Sequence, residues 1–221
     1  SIFEQDKHDL KVEVILVNDG STDNTIEKVD KYKNIKDFTV LNINNSGIEK
    51  ASNTGFRHAK GRFVVRLDAD DKLKFNFMKT VQGYLQSDFD IIYGDYSLID
   101  KKSELIRNIK LPVFDKNELA QRGDFLASGT VYKMSTLNSI GLYSEDIKNS
   151  GLENFELILK LLETKAIFKK IDVRLFEYRL HSNSVSSTKR DSIILFGNVL
   201  SKRFSLGEYT SNENHPYGLK I

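Results

Sequence analysis

Residues 14–25 read VILVNDGSTDNT and pass from four aliphatic residues directly into a cluster of small polar ones. The β-branched run at 12–17 predicts a strand that is buried on both faces. A helix is predicted to follow the polar cluster, because apolar residues recur there at helical spacing, at Ile26, Val29 and Tyr32. The stretch therefore predicts a strand, a loop and a helix in succession.

The same unit continues along the chain. Residues 38–41 and 62–67 predict two further strands, and residues 48–59 predict a helix between them. Alternating strands and helices predict a mainly parallel α/β sheet, in which ligands bind beyond the carboxyl ends of the strands. Weaker patterns predict a helix at 77–85, a strand at 89–95, a hairpin at 97–110, a polar helix or loop at 112–125, a helix near 155–162, one or two strands at 167–180 and a helix at 193–204.

The composition is that of an ordinary soluble domain. The 221 residues fit one domain, and their net charge of +2 provides no large field to attract nucleic acid. No apolar run approaches the ~20 residues that span a bilayer, so membrane contact is expected to be at most peripheral. The absence of cysteine excludes disulfides and thiolate metal sites.

A second acidic cluster, Asp68-Ala69-Asp70, follows a predicted strand. An extended backbone there brings two carboxylates near one point, and carboxylate oxygens suit Mg²⁺ or Mn²⁺. A solvated acidic turn that caps a helix explains the same residues equally well. The polar residues at 19–23 also have a structural explanation, since Asp and Ser serve Asx turns and helix caps in strand-to-helix turns.

The order of the short motifs separates these explanations. After VILVNDGSTDNT come NSG at 45–47, ASNTG at 51–55, AKG at 59–61 and LDADD at 67–71. This order resembles the nucleotide-sugar half of the family-two glycosyltransferases of the GT-A fold, which typically reads V-D-D-G-S-T-D, N-x-G, A-x-N-x-G, A-x-G and L-D-x-D-D. The segments at 128–143, LENFEL at 152–157 and YRLHSNSVS at 178–186 resemble the later half of the same family.

The resemblance covers residues 1–187 and implies a GT-A type α/β fold, Rossmann-like, with a mainly parallel central sheet flanked by helices. Residues 1–95 would form the nucleotide-sugar half, residues 96–187 the acceptor half, and residues 188–221 a C-terminal helical tail. The implied activity is the inverting transfer of a sugar from a nucleotide-diphosphate sugar to an acceptor hydroxyl, in polysaccharide or glycoconjugate biosynthesis. The implied cofactor is Mn²⁺ or Mg²⁺.

The resemblance also assigns residues to the site. The nucleotide sugar would be bound by Asp19, Asn53, Asp68 and His181. Asp19 would contact the base, and His181 would lie near the diphosphate or the metal. Asp68 and Asp70 would hold the metal, and Asp71 would support their loop. Lys60 and Arg66 are candidates for contact with phosphate, although both are expected to be ordinary surface charges.

The expected general base is replaced. Family members carry an E-D pair whose Asp takes the acceptor proton, and the matching residues here are Glu153 and Asn154. An amide has no useful basicity, so Glu153 is our candidate for the base, with Glu156 and Asp146 as alternatives. A first-turn acid favoured by the helix dipole explains Glu153 and Glu156 equally well.

The beginning of the sequence also departs from the family pattern. Members begin with a hydrophobic strand and a helix, and residues 1–5 resemble the end of that helix, so the first strand is expected to be missing from the sheet. Together with Asn154, this departure leaves open a catalytically weak or inactive domain that binds nucleotide or glycan. A nucleotidyltransferase would need a glycine-rich phosphate loop with Lys or Arg after its first strand, and the sequence contains none.

The resemblance also implies partners and a location. The donor would be a nucleotide-diphosphate sugar, with a UDP-sugar favoured, and the acceptor a saccharide or a lipid-linked acceptor. The protein is expected in the cytoplasm, either free or attached peripherally to the inner face of the membrane.

Overall fold

The computed structural model describes residues 1–7, 9–115, 126, 128–146, 148–181 and 190–207. Its strands are β1 (Val14–Asp19), β2 (Phe38–Ile43), β3 (Phe63–Val65), β4 (Lys72–Leu73), β5 (Ile91–Ile99), β6 (Leu105–Ile109), β7 (Val131–Lys133) and β8 (Phe168–Arg179). Its helices are α1 (Thr25–Asp30), α2 (Ile48–His58), α3 (Phe77–Gln82), α4 (Met134–Ser139), α5 (Glu153–Leu162) and α6 (Arg190–Arg203). The predicted α/β class is confirmed. The segment predicted as a helix or loop at 112–125 lies partly outside the described residues, from 116 onward.

The strands of the described residues form two sheets. β1 and β2 pair in parallel, and the other sheet has the order β3-β7-β5-β8-β4, with β6 added to β5. In this larger sheet only β5 and β8 run parallel, so it is mixed where the sequence predicted a mainly parallel one. The short connection from β5 to β6 explains part of the difference, because parallel neighbours need a crossover of a dozen or more residues.

The core is built on the β5–β8 pair. Tyr96 of β5 stacks on Phe176 of β8 with ring centroids 4.9 Å apart. Helix α5 contributes the fully buried Phe155, Ile158 and Leu159. Its apolar side chains cover the sheet, which leaves its first turn, at the start of the helix, to carry polar residues.

Helix α6 packs on the same core. Ile193 and Leu200 are among its buried side chains and belong to the main hydrophobic cluster. The helix predicted at 193–204 is therefore confirmed, although the domain boundary proposed near residue 187 stays a prediction. None of the helices in the described residues is both long enough and apolar enough to cross a membrane.

The β1–β2 sheet is less buried than its sequence predicted. The side chains of β1 are half-buried apart from the buried Asn18, so the prediction of a strand buried on both faces is wrong. Among the described residues β1 pairs with β2 alone, and β3 belongs to the other sheet. The expected absence of a first strand stays a prediction. The two sheets are also linked before their first strands. The carboxylate of Glu13, directly before β1, accepts hydrogen bonds from the N–H groups of Lys60 and Gly61, shortly before β3, at 2.6 and 3.0 Å.

The N-terminal segment fastens the two sheets together. Phe3 stacks on Tyr32 and contacts the edge of Phe38, both beside the β1–β2 sheet. The buried Gln5 donates to the carbonyl of Lys74 at 2.8 Å and accepts from the N–H of Met78 at 3.2 Å, at the start of α3. Both sheets are thereby held in one arrangement.

We predict that Gly94→Ala destabilises the protein through the β5–β8 pair. A Cβ at Gly94 would lie 2.5 Å from the carbonyl oxygen of Val173 and 2.9 Å from Cγ of Leu175, where the register of the pair shifts. Overpacking of this kind costs ~1–3 kcal/mol of unfolding free energy, measurable by urea denaturation. Gly83→Ala is the control, because its Cβ would meet only the carbonyl oxygen of Thr80 at 3.9 Å. Equal losses in the two variants would contradict the prediction.

Candidate active site

The site begins where β1 ends. The carboxylate of Asp19 accepts hydrogen bonds from the N–H of Ser46 at 2.7 Å, its hydroxyl at 3.0 Å and the N–H of Gly47 at 2.9 Å. Gly20 has a φ of +70°, and a Cβ there would lie 2.7 Å from the backbone nitrogen of Asn45. Asp19 thus holds the turn that starts α2, and its predicted contact with a nucleotide base stays a prediction.

Helix α2 is fixed to the segment at 143–145 through Asn53. This fully buried amide donates to the carbonyl of Tyr143 at 2.9 Å and to Glu145 at 2.8 Å, and accepts from the N–H of Tyr143 at 3.1 Å. Three of the four hydrogen bonds open to an amide side chain are therefore made within the protein. The structure places Asn53 between α2 and the segment at 143–145, and its contact with the nucleotide sugar stays a prediction.

Glu49 makes a second link between the same parts. It is buried, and its carboxylate accepts from the N–H groups of Asn149 and Ser150 at 2.8 and 2.7 Å. The side chain of Asn149 in turn accepts from the N–H of Ile48 at 3.0 Å. The loop that leads into α5 is therefore anchored on the first turn of α2.

Arg66 lies at the centre of the site. Its Nε and Nη2 donate to the two oxygens of Asp68 at 2.8 and 3.1 Å, and its Nη1 donates to Glu153 at 3.0 Å. The same Nη1 lies 3.3 Å from Oδ1 of Asn154, which also accepts from the hydroxyl of Tyr143 at 2.6 Å. The side chain of Arg66 is only 10% exposed. The expectation of a surface charge is wrong, because two carboxylates compensate this cation inside the protein.

The charges of this network are strongly coupled. Burial alone would lower the pKa of Arg66, but Asp68, Tyr143 and Glu153 outweigh burial and raise it. Burial raises the pKa of Glu153, and Arg66 opposes that rise. An amide at position 154 adds an acceptor without placing a third negative charge around one buried guanidinium. Electrostatics therefore favours an amide at position 154, because a carboxylate there would be a buried negative charge without a cation of its own.

The neighbouring Asp70 and Asp71 have different surroundings. Oδ2 of Asp70 lies 2.7 Å from Nε2 of His181, and the Asp70 side chain is 44% exposed. Asp71 is buried, accepts from the N–H of Arg179 at 3.0 Å, and its Oδ2 has no partner in the described residues. Burial raises the pKa of Asp71 to about 7. Its interior position fits the predicted role in supporting the loop.

The predicted site residues therefore form three groups. Asp68, Glu153 and Asn154 share Arg66, while Asp70 pairs with His181. Asp19 holds the turn at 46–47 that starts α2, and Asn53 links α2 to residues 143 and 145. Within the described part of the chain, no cluster of three or more His, Asp or Glu side chains could hold a metal ion. The segment at 182–189, which carries the end of the YRLHSNSVS motif, lies outside the described residues.

Residues 1–139 match the family described as Glycosyl transferase family 2. The chain belongs to this family. The resemblance read from the sequence motifs is therefore confirmed, and it extends across both the acidic clusters and Arg66.

Two curated relatives match most of the chain. Glycosyltransferase GlyG of Streptococcus pneumoniae is 30% identical over 198 residues, which are 81% of this chain and 65% of GlyG. The poly(ribitol-phosphate) β-N-acetylglucosaminyltransferase TarP of Staphylococcus aureus is 28% identical over 74% of this chain and 48% of TarP. The chain thus spans between about half and two thirds of the length of these two relatives.

Solved structures show the same fold. Residues 1–349 of S. aureus TarS in complex with UDP-GlcNAc align with a TM-score of 0.70 at 18% identity, over 96% of this chain and 63% of that chain. The corresponding complex with UDP aligns with a TM-score of 0.66 at 17% identity, over 96% of this chain and 62% of that chain. The chain has the GT-A fold predicted from its motifs.

Sequence reasoning missed several residues that link α2 to the segments before α5. Glu49 and Glu145 lie outside the motifs, and their partners are about a hundred positions away in the chain. Tyr143 ends a segment that resembles the family, but its contact with Asn53 could not be predicted without the fold. The burial of Arg66 could have been inferred from the sequence, because a cation at the end of an apolar run needs a counter-charge if the run is buried. Its partner Glu153 could not be identified without the fold.

We predict that Glu49→Gln loosens the loop at 148–150. The substitution removes the charge that accepts two backbone N–H groups, and such charged hydrogen bonds contribute ~1.5–3 kcal/mol each. Urea denaturation should show a loss of stability, and hydrogen exchange at Asn149 and Ser150 should accelerate. Glu27→Gln is the control, because Glu27 is an exposed acid in the first turn of α1. Unchanged exchange at both amides would contradict the anchoring role of Glu49.

Proposed function

We propose that this protein is an inverting glycosyltransferase that moves a sugar from a nucleotide-diphosphate sugar to an acceptor hydroxyl in polysaccharide or glycoconjugate biosynthesis. The observation that supports this most directly is the acidic loop of a glycosyltransferase family 2 chain, where Asp68 shares Arg66 with Glu153 at the start of α5 and Asp70 pairs with His181. A UDP-sugar is the proposed donor, because two TarS structures of the same fold are complexes with UDP and UDP-GlcNAc. The acceptor is a saccharide or a lipid-linked glycan, and the proposed location is the cytoplasm or the inner face of the membrane.

The donor would lie beyond the carboxyl ends of β1 and β3, as in other open α/β sheets. The loop after β1 would receive the base beside Asp19. Asp68 and Asp70 follow β3, where one is oriented by Arg66 and the other by His181. These residues would orient the diphosphate relative to the acceptor half.

A divalent ion fits this donor set. Mg²⁺ is usually bound by one or two carboxylates, with phosphate and water oxygens in the other positions, so a cluster of three protein ligands is not needed. Asp68 and Asp70 would hold the Mn²⁺ or Mg²⁺, with His181 beside it. When bound, the ion would neutralise charge on the leaving nucleoside diphosphate.

Glu153 is the proposed base. Its contact with Arg66 uses Oε1, which leaves Oε2 to take the proton of the acceptor hydroxyl. Burial raises its pKa, which makes the carboxylate a stronger base than an exposed one. Asn154 would keep Arg66 and the hydroxyl of Tyr143 in place without itself taking a proton.

We predict metal-dependent binding of UDP-GlcNAc, measured by calorimetric titration with and without Mn²⁺. Asp70→Asn should abolish the metal-dependent part, because an amide is a weaker ligand than a carboxylate. EDTA should have the same effect on the unmodified protein. Asp88→Asn, which changes an exposed acid before β5, is the control and should bind normally. Equal binding in the presence of EDTA would contradict the proposed metal dependence. No binding of any nucleotide sugar would contradict the proposed function.

We predict that Glu153→Gln lowers kcat for transfer by ~10²–10⁴-fold, the usual contribution of a general base. The measurement is UDP release from UDP-GlcNAc in the presence of saccharide acceptors. Glu156→Gln is the matched control, because Glu156 lies in the same first turn of α5 and bonds the hydroxyl of Ser144 at 2.8 Å. Unchanged turnover in Glu153→Gln would contradict the assignment.

A companion variant separates this base from the one expected of the family. Asn154→Asp should not raise kcat if Glu153 is the base, since the new carboxylate would compete for the same guanidinium. A large increase in kcat would show that turnover is limited by the missing carboxylate at 154.

A further inference from the structure

Arg66 is the buried cation between the donor carboxylates and the acceptor half. Its side chain is 10% exposed, and that of its partner Glu153 is 8% exposed. The two residues are 87 positions apart in the chain. An ion pair of this kind contributes little net stability, because the cost of burying both charges offsets most of their attraction. Its geometry therefore suggests a role other than stability.

The contact with Asp68 has a geometry that fixes the carboxylate. Nε and Nη2 reach one oxygen each, at 2.8 and 3.1 Å, so that the guanidinium and the carboxylate form a bidentate pair. A carboxylate can accept about four hydrogen bonds, so this pair leaves the outer positions of both oxygens for a ligand. The Asp68 side chain is 32% exposed, which is consistent with an outward side open to solvent.

The remaining edge of the guanidinium faces the first turn of α5. Nη1 donates to Glu153 at 3.0 Å and lies 3.3 Å from Oδ1 of Asn154. The ring of Tyr143 lies against the guanidinium, with its centroid 5.6 Å from Cζ, and the Tyr143 hydroxyl donates to Asn154. One planar group thus contacts the loop after β3 and the start of α5 together.

We propose that Arg66 is a positioning residue that orients Asp68 for the nucleotide sugar and couples it to the first turn of α5. The proposal rests on the proposed function for its ligand, but the coupling itself is a property of the protein alone. Lysine cannot replace Arg66, because an ammonium cannot form the bidentate pair and reach Glu153 at the same time. The donor carboxylate is therefore in place only when the start of α5 is in place.

The first arm of the test compares UDP affinity with stability. Arg66→Lys should weaken the binding of UDP in Mn²⁺ by about tenfold or more, as the loss of a residue that orients a ligand commonly does. Lys170→Met is the matched control, since Lys170 is a buried cation paired with Asp95 and Asp172 of β5 and β8. It should lower the melting temperature and leave the Kd for UDP unchanged. Equal UDP affinity in Arg66→Lys and the unmodified protein would overturn the proposal.

The second arm needs no ligand and decides the question if Arg66→Lys does not fold. Asp68→Asn should accelerate hydrogen exchange at the first turn of α5, at 153–157, and leave α3 unchanged, because Arg66 contacts both Asp68 and the start of α5. Unchanged exchange at 153–157 would overturn the coupling. If the unmodified protein binds no UDP while this exchange responds, the proposed function fails and the coupling stands.

Discussion

The positive charge of Arg66, which lies inside the protein at the end of β3, constrains the rest of this structure. Arg66 cannot be buried at the end of β3 unless acceptors surround it, and the chain supplies them from both halves: Asp68 from the same loop, and Glu153 and Asn154 from α5. Because each of these residues has a place in the proposed chemistry, the requirement for charge compensation also sets the geometry of the site. The amide at position 154 fits this balance better than a further carboxylate would.

A second set of hydrogen bonds runs through helix α2. Asp19 holds the turn at 46–47, Glu49 holds the loop at 149–150, and that loop leads directly into α5. Asn53 adds a link from the middle of α2 to residues 143 and 145. These segments therefore meet through polar contacts made within the protein, and α2 serves as their common support. Asp19 and Asn53 belong to the sequence motifs, and they make these structural hydrogen bonds whether or not they also contact a ligand.

Much of this could be predicted from the sequence because it depends on local patterns. The strand, turn and helix around residues 14–25, the hairpin formed by β5 and β6, and the acidic loop at 68–71 were all predicted from periodicity and turn residues. The family followed from the order of its motifs. The mixed sheet, the half-buried β1 and the partners of Arg66 could not be predicted, because each depends on which distant segments become neighbours. The buried face of α2 shows the same limit, since Glu49 has the sequence signature of an ordinary first-turn acid.

In the proposed arrangement Arg66 keeps Asp68 oriented while Asp68 contacts the donor. A crystal structure of the protein with UDP and Mn²⁺ is the decisive measurement. We expect both oxygens of Asp68 still to accept from Arg66, Nη1 still to contact Glu153, and the ligand to lie on the outward side of Asp68. A structure in which Arg66 has turned away to bind phosphate, with Asp68 and Glu153 released, would contradict this arrangement.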